Sequence, residues 1–221
     1  MQDDRALRAA VMAELDWEPS LDAAHIGVAA NAGVVTLSGF VSSYAEKAAA
    51  ERAARRVRGV RALAEEIEVR LPQFQKHGDD EIAERTLRIL AWDVEVPDQN
   101  IQVKVEHGVV TLSGEVDRWF QREAAAADVR RLGGVRGVVN LLVVKPARPP
   151  APDTNLVKEK IEAALRRSAE LEAEGVDVEV HGGQVTLRGA VRTWAERMVA
   201  ESAAWAAPGV TQVENALRVQ P

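Results

Sequence analysis

"GVVTLSG" at Gly33–Gly39 returns letter for letter at Gly108–Gly114, and nearly so as "GQVTLRG" at Gly183–Gly189. Thr36, Thr111 and Thr186 are evenly spaced by 75 residues, and Val41, Val116 and Val191 keep the same register. Chemistry usually needs a site once, so a phrase written three times asks first for an architectural explanation. A 75-residue period is longer than the roughly 20–50 residues of solenoid repeats and close to the smallest self-standing domain. The chain reads as three tandem copies of one small fold.

Around the phrase, period-two alternation marks a hairpin in every copy. Ile26-x-Val28 precedes Val35-x-Leu37, Ile101-x-Val103-x-Val105 precedes Val110-x-Leu112, and Val176-x-Val178-x-Val180 precedes Val185-x-Leu187. Gly39, Gly114 and Gly189 close the second strand, where a bulge or a close backbone approach would demand glycine. Upstream, Leu7–Val11–Leu15, Ile82–Leu90 and Val157–Ile161–Leu165 are spaced as a helix face, with Asp4, Asp79 and Thr154 as expected N-caps. A loop pinned by Leu21, Val96 or Leu171 joins this helix to the hairpin.

Downstream, a second helix is expected over 42–57, 117–132 and 192–206, ending at Gly59, Gly134 and Gly209. A last strand follows, with Leu63, Glu65, Ile67 and Val69 inward in copy one, Val138, Asn140, Leu142 and Val144 in copy two, and Val213, Asn215, Leu217 and Val219 in copy three. The strand–helix–strand connection requires a right-handed crossover, so the last strand runs parallel to the second. The expected fold is α+β: three α-β-β-α-β domains, each a three-stranded mixed sheet with two helices on one face. The boundaries read 1–71, 79–146 and 153–221, with linkers at 72–78 and, Pro-rich, at 147–152.

The 221 residues are 47% hydrophobic and 28% charged, the profile of a globular chain, with no cysteine for disulfide, thiolate or zinc chemistry. Net charge is −6, and no third of the chain is basic: residues 1–72 carry 9 basic and 11 acidic side chains, 73–150 carry 11 and 12, and 151–221 carry 8 and 11. Nucleic-acid binding and purely electrostatic membrane binding both need a basic face, so neither is expected. Arg52, Arg55, Arg56, Arg58 and Arg61 read as a solvated helix face paired with Glu46 and Glu51. The N-terminus shows no leader pattern, which points to the cytoplasm, or to the periplasm if a leader has been trimmed.

Catalytic and metal sites are not expected. His25, His77, His107 and His181 lack ligand spacing, and no phosphate loop or nucleophile elbow occurs. Ser38 and Ser113 have Arg188 as their counterpart, and Glu65 and Glu66 alternate across a strand. The aromatics stand out more. Tyr44, Trp119 and Trp194 share one repeat position in the first turn of the second helix, with Phe120 beside the middle one; Trp17 and Trp92 share another, where copy three has Arg167. Each ring either covers the end of a small core or forms a half-wet tip for lipid headgroups or a partner domain. Trp205 is expected to face its own core.

The motifs "GVVTLSGEV", "AAAADVRRLGGV" and "GVVNLLVV" of copy two, and "GQVTLRGAV", "APGV" and "VENALRV" of copy three, resemble the BON domain family (bacterial osmotically-inducible and nodulation). Copy one departs from the pattern, with Ala64-Glu65-Glu66 in place of the Val-x-Asn stretch. The resemblance implies a stress-associated, transport-associated, non-enzymatic protein without a cofactor. It further implies binding to phospholipid membranes or an envelope-stress partner, with small solutes or potassium ion as the alternative. A third alternative is a structural protein that self-associates into homo-oligomers.

Overall fold

The computed structural model describes residues 4–73, 77–145, 154–168 and 175–220. The first domain comprises α1 (Asp4–Trp17), β1 (Ile26–Asn31), β2 (Val34–Val41), α2 (Tyr44–Arg56) and β3 (Ala62–Val69). The second comprises α3 (Asp79–Trp92), β4 (Ile101–Glu106), β5 (Val109–Val116), α4 (Trp119–Arg130) and β6 (Gly137–Val144). The third repeats the order with α5 (Thr154–Arg167), β7 (Val176–His181), β8 (Gln184–Val191), α6 (Trp194–Trp205), and a last strand in two pieces, β9 (Gln212–Asn215) and β10 (Arg218–Val219).

The repeated phrase is the central strand of each sheet. β2 pairs antiparallel with β1 and parallel with β3, as β5 does with β4 and β6. β8 pairs antiparallel with β7 and parallel with β9 and β10. Val35 and Leu37 point inward with no exposure, as do Val110 with Leu112 and Val185 with Leu187. Three separate apolar clusters result, one for each domain, centred on these strands and on the inward helix residues Leu7, Ile82 and Ile161.

At Gly39, Gly114 and Gly189 the ladder continues without a bulge, each glycine opposite a residue of the first strand. Close approach is the reason for glycine: φ is +112°, +129° and +117°, and a Cβ would lie 2.0, 2.0 and 1.9 Å from the carbonyl oxygens of His25, Asn100 and Gly175. The second helices start about two residues later than their sequence pattern suggests. Ser43 and Thr193 accept from the Glu46 and Glu196 N–H groups, and Gln121 reaches back to the Arg118 N–H, so the chain stays extended up to these caps.

The expected N-caps of the first helices need correcting. Asp4, Asp79 and Thr154 are the first helical residues instead. Gly78 is the N-cap of α3, and the Asp79 carboxylate accepts from the N–H groups of His107 and Gly108, both at 2.8 Å. Those two residues have φ of +52° and +78°, a turn whose N–H groups converge on the carboxylate. The Leu21 pin packs on the first core and Val96 lies in the second, whereas Leu171 and linker residues 147–152 lie outside the described residues.

Candidate functional site

Tyr44, Trp119 and Trp194 each sit one residue inside a helix N-cap, where a large side chain projects past the end of its own domain. Tyr44 packs against the cores of both the first and the second domain. Trp119 of the second domain stacks on Trp205 of the third, with centroids 4.6 Å apart and planes 5° from parallel, and the Arg122 guanidinium lies 4.5 Å from the Trp119 centroid. Trp194 of the third domain packs on the first core and donates Nε1–H to the Arg61 carbonyl at 3.3 Å. Arg55 lies 5.8 Å from the Trp194 ring and also reaches Met198.

The contacts run first to second, second to third, third to first. A contact made in one sense at equivalent positions and closed on itself is a ring. The other arginine pairs of α2 stay within the first domain: Arg55 also pairs with Glu51 on its own helix, and Arg56 reaches Glu14 and Glu18 at the end of α1. Trp205 faces its own core as expected but also serves as the platform for Trp119, and its buried Nε1–H finds no acceptor among the described residues.

Trp17, Trp92 and Phe120 have free faces. Trp17 is 82% exposed and Trp92 89%, at matching C-terminal ends of α1 and α3 just beyond the inward residues Leu15 and Leu90. Val94 beside Trp92 is fully exposed, Phe120 is 52% exposed, and Met12 and Leu87, another matched pair, are exposed as well. Acidic residues accompany both tryptophans: Glu14, Asp16, Glu18 and Asp22 around Trp17, and Asp93, Glu95 and Asp98 after Trp92. The third domain places Glu162 and Arg167 at these two positions.

Asn140 and Asn215 form an edge clamp that sequence reading did not foresee. The Asn140 carboxamide accepts from the Leu142 N–H at 3.1 Å and donates to the Arg122 carbonyl at 2.8 Å, while the Arg122 guanidinium donates to the carbonyls of Leu142 and Asn140. Asn215 and Arg197 repeat this in the third domain. In the first, Glu65 accepts from the Ile67 N–H at 3.1 Å, and Lys47 pairs with Glu65 at 2.9 Å and donates to the Ile67 carbonyl at 2.7 Å. The departure of copy one is thus a matched exchange, Asn with Arg for Glu with Lys. The signal was a cation at 47, 122 and 197, one repeat apart. The clamp occupies polar groups on the outer edge of a strand that would otherwise invite another strand.

Among the described residues no three His, Asp or Glu side chains are grouped as a metal would require, and no helix is long and apolar enough to cross a membrane. His25 stacks on Phe40 and His77 bonds Glu81. Two recesses stand out: about 340 Å³ between His77, Asp79, His107 and Arg136, and about 330 Å³ between α5 and α6.

The BON domain pattern matches residues 3–70, 78–146 and 153–221, three times in one register and across nearly the whole chain. The chain belongs to the BON domain family. This BON protein is 34% identical over 148 residues to Osmotically-inducible protein Y of Escherichia coli (strain K12), covering 65% of its own length and 73% of that relative. A solved structure, the C-terminal domain of CdsD, the structural protein of the Type III secretion system of Chlamydia trachomatis, aligns over the full length of both chains at 16% identity with a TM-score of 0.27. A second CdsD structure gives the same identity and score over 98% of this chain and 93% of the other.

Proposed function

We propose that this BON protein is a non-enzymatic, osmotic-stress-associated protein that binds a phospholipid surface through Trp17 and Trp92. The relative's name supports the stress association. The lipid reading is carried by one observation: two equivalent tryptophans stand more than four-fifths exposed while the other repeated aromatics are occupied between domains.

Indole rings favour the membrane–water interface, where the apolar body is buried and the N–H stays wet. Equivalent residues of a ring lie at one height along its axis, and two weak anchors on one body that reach the same surface reinforce each other through effective concentration. The net charge of −6 and the acids flanking both rings favour a zwitterionic over an anionic surface.

Co-sedimentation with phosphatidylcholine vesicles tests the reading. The wild type should pellet with the vesicles, and Trp17→Ala combined with Trp92→Ala should abolish this with an unchanged melting temperature. Undiminished binding by the double variant would overturn it.

A further inference from the structure

The groove of about 330 Å³ in the third domain runs between the C-terminal halves of α5 and α6. Its walls are Ala163, Ala164, Ala203 and Ala207, and Lys160 and Arg167 stand at its rim. The groove exists because small residues replace large ones: Ala164 stands where the other copies have Glu14 and Ile89, and Ala207 where they have Val57 and Leu132. Arg167 occupies the position of Trp17 and Trp92. The third domain therefore carries a recess with a basic rim where its sisters carry an acid-flanked ring.

We infer that the groove binds Trp92 of a second copy of this chain. Trp92 projects from the end of α3 with its ring 89% exposed, fully exposed Val94 follows it, and Asp93 and Glu95 alternate with them. The nearest base one turn back, Arg88, is tied to Glu84. Lys160 and Arg167 form no ion pair among the described residues and can meet the exposed Glu95 carboxylate, whereas Asp93 is engaged by Asp128 and the Glu95 N–H of its own domain. Knob and groove are complementary in polarity and in charge, the arrangement in which one aromatic anchor carries most of an interface.

Knob and groove lie on different domains of the same chain, so the contact is heterologous and leaves each copy with a free knob and a free groove. Association adds copies head to tail and is weak, with a Kd of roughly 10–100 µM for a contact at the small end of the interface range. This is independent of the lipid reading, although the two would compete for Trp92.

Light scattering across that concentration range, without vesicles, is the test. The wild-type mass should rise at least about twofold above that of one chain, and less so at high salt. Trp92→Ala alone should remain a single chain, and so should Lys160→Glu with Arg167→Glu, whose positions are exposed. Mixed together these two variants should form a one-to-one complex, because each retains the half the other lacks, while Trp17→Ala should behave as the wild type. A wild type that stays monomeric, a mixture that forms no complex, or loss of association on Trp17→Ala in place of Trp92→Ala would overturn the inference. Vesicle binding by a protein that never self-associates would leave the lipid reading standing.

Discussion

Trp119 of the second domain lies flat on Trp205 of the third, 4.6 Å between ring centroids, with the Arg122 guanidinium 4.5 Å from the Trp119 ring centre. An aromatic pair contributes about 0.5–1.5 kcal/mol beyond the area it buries, and a cation over an indole adds a similar amount. Both rings retain contacts within their own domains, so the pair acts mainly on how the second and third domains sit together.

Trp119→Ala should therefore loosen the ring and leave the domains folded. The expected result is a larger radius of gyration by small-angle scattering, an unchanged far-ultraviolet circular dichroism spectrum, and a stability loss of about 1–2 kcal/mol in denaturant. A collapse of secondary structure would instead mean that the ring mainly closes its own core.

The edge clamp makes a second prediction. Replacing Asn140 by Leu orphans the Leu142 N–H and removes the acceptor–donor bridge to α4, at a cost of about 1–3 kcal/mol. It also unmasks the edge of β6, whose open face already exposes Val139, Leu141 and Val143, so turbidity on warming should increase. In the first domain, Glu65→Asn with Lys47→Arg should be close to neutral because the pair rebuilds the clamp of its sisters. Glu65→Asn alone should be worse than the double change, and a double-mutant cycle measures the difference.

How far the sequence could be read follows from which forces repeat within it. Strand alternation, the helix face at Leu7, Val11 and Leu15, and the glycine at 39, 114 and 189 are set by local backbone and burial rules, and three copies reveal each of them three times. The ring contacts were not legible, because packing between domains has no period along the chain. Tyr44, Trp119 and Trp194 could be singled out as equivalent, but nothing in their spacing tells a partner domain from a lipid surface. The clamp was hidden for another reason: its two members are 18 residues apart, and copy one changes both at once. Asp79 was misread because a helix-start aspartate has two competing donor sets, and the turn at His107–Gly108 offers two converging N–H groups.

Two carboxylates give the second domain a pH dependence of opposite signs. The Asp79 carboxyl is held below the usual aspartate range by the N–H groups of Gly108 and His107. Its contribution is full above about pH 4 and is lost as pH falls through the lowered value. The Asp128 carboxyl is pushed up, first by burial and then by the hydrogen bond it donates to Asp93 when protonated, with Glu95 adding repulsion and Arg131 opposing it, and its buried Oδ2 has no partner among the described residues. A raised carboxyl binds its proton more tightly in the folded state, so stability falls as pH rises from about 4 through the raised value. Asp128→Asn keeps the shape and removes the charge. The substitution should raise the melting temperature at pH 7 and give no gain at pH 3, whereas Asp79→Asn should lower it at pH 7 and matter less at pH 3. Thermal melts of the three proteins at the two pH values decide it, and a gain from Asp128→Asn that is equal at both would show that packing, not charge, limits that site.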